Sequence, residues 1–132
     1  KENIWLTHGS FISLSDGKKC SWGVPVPQKY IAENRFRKWP HLPTHLRTFK
    51  AGLFKKINKE DLVDGNGNFY TMSSDVAILL PMIEMAGFRH AYIDDILYVY
   101  NDLNSLNDHK VNKKLQAGLN RVIRNKKRYR PL

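Results

Sequence analysis

From Val76 to Ala86 the chain is apolar on nearly every side, a pattern that suits a helix buried all round rather than one with a wet face. Ser73, Ser74 or Asp75 can cap its N-terminus and Gly87 ends it. Pro81 falls inside the stretch and removes one hydrogen-bond donor, which predicts a bend or a local break. The length of 132 residues allows one domain with a reasonable core, and no repeat, low-complexity tract or Ser/Gly linker divides it. Charged residues make up 26% of the chain and Gly and Pro are ordinary in number, which excludes disordered and collagen-like classes. No apolar run approaches the roughly 20 residues needed to span a bilayer. The single Cys20 has no partner for an internal disulfide and fits a reducing, cytoplasmic setting.

Around the apolar stretch, helical and extended signals alternate, so the expected class is α/β. Ile4 to Leu14 mixes β-branched and aromatic residues and ends at Asp16-Gly17, which predicts one strand or two short ones near Trp5 to Ser13. Pro25 to Pro43 carries four prolines and reads as a loop-rich connection. Leu46, Phe49, Leu53, Phe54 and Ile57 fall on one helical stripe, predicting an amphipathic helix over Thr44 to Ile57. Asp64-Gly65-Asn66-Gly67-Asn68 is a turn before a short extended Phe69-Tyr70. Ala91 to Tyr100 reads as a buried strand, Asn101 to Asp108 as a loop, and His109 to Lys126 as a final helix with a basic polar face. The expectation is therefore about three helices with mixed strands.

The net charge of +10 is unevenly placed, with much of the excess in the last twenty residues, whereas Glu60 to Asp108 is balanced or acidic. A solvated helix face and a basic tail account for such a cluster, and an anionic partner is the sharper reading. Among single residues, Glu84 on its apolar helix reads as a buried carboxylate paired with a basic group. His45 and Arg47 can bind a substrate, Arg47 gripping a phosphate by its fork geometry, or hold their segment against the Asp75 loop. Trp22 and Trp39 can stack on the ring of a bound substrate or serve as packing anchors.

Four segments stand in a recognisable order: Trp5-Leu6-Thr7-His8-Gly9-Ser10, His45-Leu46-Arg47-Thr48-Phe49, Asp75 to Gly87, and Ile96-Leu97-Tyr98-Val99-Tyr100-Asn101 followed by Asn107-Asp108-His109-Lys110. From Trp5 to about Lys110 this set resembles the C-terminal half of family 2 glycosyltransferases of the GT-A type. The resemblance implies a GT-A-like fold of which residues 1–132 are the acceptor-side part, with the donor-binding half encoded upstream. A start at Lys1, with an apolar pattern beginning at once, agrees with that expectation. The family's Asp-x-Asp motif for metal and donor diphosphate does not occur here, and Asp94-Asp95 lies out of place for that role.

The activity implied is inverting transfer of a sugar from a nucleotide-sugar donor to a glycan, lipid or protein acceptor, with a divalent metal (Mn or Mg) in the intact enzyme. Asp75 stands where the family places its catalytic Asp and would be the general base; its alternative role is that of an N-cap. His109 stands where GT-A enzymes bring a histidine toward the metal, the alternative being a surface cap of the last helix. An isolated acceptor-side part is expected to be inactive alone. It should also leave apolar residues of the Trp5 to Phe11 strand or the Val76 to Ala86 helix uncovered and so favour self-association. Two other classes fit the composition: a noncatalytic sugar- or partner-binding module on the same fold, and a basic nucleic-acid-binding domain. The second lacks any helix-turn-helix, zinc-finger, RNP-like or Gly-x-x-Gly pattern.

Overall fold

A short strand, β1 (Leu6–Gly9), is the element on which the rest is assembled; β2 (Ile12–Ser13) follows it, then helix α1 (Gln28–Ala32) and a 3-10 turn at Phe36–Lys38. Next come β3 (Thr44–Phe49), the short helices α2 (Ala51–Phe54) and α3 (Lys59–Leu62), the long helix α4 (Ser74–Ala86) and a second 3-10 turn at Gly87–Arg89. The chain ends with β4 (His90–Tyr92), β5 (Val99–Tyr100), α5 (Asp108–Val111) and α6 (Lys113–Asn125). This computed structural model describes residues 3–132, apart from the side chain of His109. The class is mixed α/β. In the main sheet β1 lies between β3, which is antiparallel to it, and β4, which is parallel. A second pair joins β2 and β5 in parallel, with Ile12 opposite Val99.

Helix α4 meets the expectation of burial: Val76, Ala77, Leu79, Leu80 and every residue from Pro81 to Ala86 are buried. Each of the larger side chains contributes about 1.5–3 kcal/mol of hydrophobic stabilisation on leaving water. Pro81 does not break the helix, which runs continuously from Ser74 to Ala86. Ser73 stands at the N-cap in the left-handed region, and its hydroxyl donates to the Gln116 carbonyl of α6 instead of capping α4. Gly87 ends the helix at φ +53°, a conformation that favours glycine.

The faces expected to be bare are covered by the chain itself. Elements α2, α3, α6 and the Phe36–Lys38 turn pack on α4, and Leu6 and Phe11 are buried. Exposed apolar side chains occur elsewhere, at Leu97, Val99, Leu103 and Leu106 among others. Among the described residues no helix is long and apolar enough to cross a membrane.

Three segments depart from the local pattern. Thr44 to Ile57 is not one helix but β3 followed by α2. Its stripe is not used as a unit, because Leu46, Phe49 and Phe54 are exposed and only Leu53 of the α2 segment enters the core. The competing force is sheet pairing, which satisfies the backbone of β1 and adds a Thr7–Thr48 hydroxyl contact of 2.6 Å and a Thr44 hydroxyl donating to the Gly9 carbonyl. Ala91 to Tyr100 is not one strand. It splits around exposed Asp94 and Asp95, so that β4 serves the main sheet and β5 the second pair. The last helix divides at Asn112, whose side chain accepts the Leu115 N–H at 2.9 Å and caps α6. The loop-rich Pro25 to Pro43 connection also contains α1 and the first 3-10 turn.

One buried group makes the fold sensitive to acid. His8 of β1 is fully buried between His90, at 5.8 Å, and Tyr92, at 5.4 Å, and neither ring nitrogen has a hydrogen-bond partner. Burial first, then the nearby His90 and Arg47, hold its pKa down from 6.5 to about 4. Between those two values the unfolded chain binds the extra proton, so stability is full above about pH 6.5 and falls as the pH drops toward 4. The whole gap corresponds to about 3 kcal/mol. Urea unfolding at about pH 7 and about pH 4 should show this loss, and His8→Leu should reduce the pH dependence, with His90 and His45, whose pKa values burial also lowers, supplying the remainder. An equal pH dependence in His8→Leu would refute the assignment to this residue.

Candidate functional site

Beside the second strand pair, the start of β3 and the N-termini of α4 and α6 enclose a cleft of about 540 Å³. Trp22, His45, Arg47 and Asp75 all line it, though they come from three distant stretches of chain. Asp75 sits in the first turn of α4, where the helix dipole favours a negative charge. One carboxylate oxygen accepts the Val76 N–H at 2.9 Å, and the other accepts Arg47 Nη1 at 3.1 Å. Arg47 is itself fixed, its Nε donating to the Pro43 carbonyl at 2.8 Å. Asp75 remains 52% exposed while Arg47 is 16% exposed, so the guanidinium holds the carboxylate from behind and leaves it open to the cleft. Of the two roles open to Arg47, holding the Asp75 loop is the one its contacts describe.

His45 stacks on Tyr98 at 4.6 Å. Burial and then Arg47 lower its pKa, against a weaker upward pull from Asp75, so at neutral pH the ring is uncharged. Phe11 connects Tyr100, at 5.1 Å, with Trp22, at 6.3 Å, and Trp22 is half exposed. The cleft lining therefore combines aromatic side chains with the Arg47–Asp75 pair, an arrangement suited to a ligand with one apolar face and several hydroxyls.

Trp39 is elsewhere. It is 4% exposed in the hydrophobic core, its ring edge-on to His41 at 5.6 Å, and it does not line the cleft. The packing role is the one the structure assigns it. The metal expectation for His109 rests on a side chain outside the described residues. Among the described residues no three His, Cys, Asp or Glu side chains converge as a metal site. Asp94 is held by Lys19 at 3.2 Å and belongs to a different depression, beside Tyr92. Cys20 is a free, buried thiol whose pKa burial raises.

Several cleft residues escaped the sequence reading. Tyr100 and Asp102 follow the Leu97-Tyr98-Val99 run, which resembles a buried strand, so their position at a cleft rim had no local signal. Asp102 is fixed by the Ser15 hydroxyl and by the Ser15 N–H at 3.0 Å. Gln116 and Asn120 had a weak one, being two uncharged polar residues four apart on a basic helix and hence on one face.

Gly23, in the separate depression beside Tyr92, is closely packed: a Cβ there would overlap Ser10 Oγ and lie 2.8 Å from Thr44 Oγ1. The Gly23 carbonyl also accepts the Tyr92 hydroxyl at 2.8 Å. Gly23→Ala should therefore cost about 1–3 kcal/mol, measurable as a shift of the denaturation midpoint; a change below about 0.5 kcal/mol would show that the packing around Gly23 yields freely.

Comparison with models of protein families, with curated proteins and with solved structures finds no match for this chain.

Proposed function

We propose that this chain is the acceptor-side part of a GT-A-type family 2 glycosyltransferase, and that the intact enzyme transfers a sugar with inversion from a nucleotide sugar to an acceptor hydroxyl. The observation that carries the proposal is the single cleft in which Asp75, Arg47, His45 and Trp22 meet. Asp75, Arg47 and His45 belong to segments that resemble the family in sequence, and Trp22 joins them from outside those segments, giving a base, its holder and a stacking surface to one volume.

The chemistry follows from that placement. An acceptor sugar lies with its apolar face on Trp22 and presents a hydroxyl to the open side of Asp75. As the hydroxyl oxygen forms its bond to the anomeric carbon, its proton passes to the Asp75 carboxylate, and the bond from the anomeric carbon to the donor phosphate breaks with its electron pair on the departing diphosphate. Arg47 keeps the carboxylate aimed, and neutral His45 offers no competing charge. A divalent metal, when bound to the intact enzyme, would neutralise the departing diphosphate. The described residues do not form that metal site, and no step here is assigned to it.

The test is to incubate the intact protein with a divalent metal, a panel of nucleotide sugars and candidate acceptors, and to measure nucleoside diphosphate release. Acceptor-dependent release is expected for at least one pair. Donor binding by the intact protein with no acceptor-dependent release from any pair would sink the reading in favour of a noncatalytic sugar-binding module.

A further inference from the structure

We propose that a basic trough leading out of the cleft binds an acidic glycan. The accompanying idea, that this glycan is the body of the acceptor whose end lies against Asp75, rests on the proposed function; the binding itself does not.

The trough is continuous with the cleft through shared residues. Gln116 and Asn120 line the cleft on one side and, on the other, a depression of about 620 Å³ that also meets Arg37, Lys113, Arg121 and Arg124. Arg37, Arg124 and Asn125 in turn border a second depression of about 520 Å³, walled by Lys38, Lys127 and Arg128. No carboxylate lines either one. Residues 113–132 contain eight Lys and Arg and no Asp or Glu. Glu84 is engaged by Arg37 and Glu33 by Arg35. Among the described residues Lys38, Lys113, Arg121 and Lys127 have no ion-pair partner.

The floor of the trough is built and does not depend on floppy side chains. Arg124 donates to Asn120 Oδ1 at 2.7 Å and to the carbonyls of Arg37, Trp39 and His41 at 3.1, 2.8 and 3.2 Å. Arg128 donates to the carbonyls of Glu33 and Asn34. These contacts fix two charges in place and leave the unpaired lysines and Arg121 to meet a ligand. Like charges gathered without counter-charges repel one another and weaken the fold, and a polyanion lying along them reverses that term. A single-stranded nucleic acid is the poorer occupant, because such sites pair a basic groove with aromatic platforms for the bases. No aromatic side chain lines the trough; the aromatics are confined to the cleft at its end. Carboxylates or phosphates spaced along a glycan need only the cations.

The experiment measures binding of this chain at low ionic strength to four probes: a polygalacturonate oligosaccharide, a neutral dextran of equal length, single-stranded DNA and phosphatidylglycerol vesicles. The polygalacturonate should bind and the dextran should not. The triple variant Lys38→Gln/Arg121→Gln/Lys127→Gln should weaken polygalacturonate binding about tenfold. A control triple that removes the same charge elsewhere, Lys18→Gln/Lys55→Gln/Lys56→Gln, should change it by less than about twofold. Absence of polygalacturonate binding, equal binding of dextran, or equal losses in the two triples would overturn the proposal. Tighter binding of DNA or of vesicles, lost in the trough variant, would overturn it in favour of a nucleic acid or a membrane surface. In the intact enzyme the trough triple should raise KM for an acidic acceptor with kcat retained. Trough-dependent binding by an intact protein that releases no nucleoside diphosphate would overturn the transferase reading and leave the trough standing.

Discussion

Asp75→Asn should lower sugar transfer by the intact enzyme by about 100-fold or more while leaving folding and donor binding in place. Asparagine keeps the size of the side chain and an oxygen that can still accept the Val76 N–H, so the start of α4 is preserved. What it loses is basicity, and with it the acceptor for the hydroxyl proton. The loss should fall on kcat, because the contact with Arg47 and the aromatic lining of the cleft, the acceptor surface in the proposed reading, are largely retained. Turnover by Asp75→Asn within about threefold of the wild type would end the general-base assignment. A fall in thermal stability matching the fall in activity would assign Asp75 a capping role alone.

The second large effect lies at the pair beneath the trough. Arg37 and Glu84 are 3% and 0% exposed, and Arg37 grips both carboxylate oxygens through Nε at 2.7 Å and Nη2 at 2.9 Å. Its remaining Nη1 donates to the Ile123 carbonyl at 2.7 Å, and Glu84 also accepts the Tyr129 N–H at 3.1 Å. Burial holds the Glu84 carboxyl above its ordinary value, the Arg37 fork offsetting part of that rise. With three donors on two oxygens, the ionised form is the one this site is built to hold. Arg37→Met should cost about 3–5 kcal/mol, because it strands a buried carboxylate, and Glu84→Met should cost a similar amount by stranding the guanidinium. The double variant should be at least about 1–2 kcal/mol more stable than the sum of the singles, with the unpaired Ile123 carbonyl and Tyr129 N–H limiting the recovery. Denaturant unfolding of the three variants measures this directly. Strict additivity would show that the two side chains act independently. Because the pair ties the first 3-10 turn and the C-terminal tail to α4, loss of Arg37 should also weaken polyanion binding along the trough.

Local sequence was sufficient where one segment's burial did not depend on its neighbours. The Val76–Ala86 stretch is apolar all round, so no placement other than a buried helix satisfies it, and Glu84 within it required a basic partner before that partner was known. The Gly67 turn and the two short N-terminal strands were legible for a similar reason, since turn chemistry and β-branched residues act over a few positions. Residues Thr44 to Ile57 were not legible, because their stripe satisfies a helix equally well and only the edge of β1, thirty-five residues earlier at Gly9–Thr44, makes a strand the better solution. The split of Ala91–Tyr100 has the same origin: each half answers to a different partner strand. For the site, the sequence alone named the residue types and Asp75, His45, Arg47 and Trp22 among them. Their convergence, the exclusion of Trp39 and the link from the cleft to the basic trough were decided by tertiary structure, because distances between segments far apart in the chain are set by packing on α4 and leave no periodicity along it.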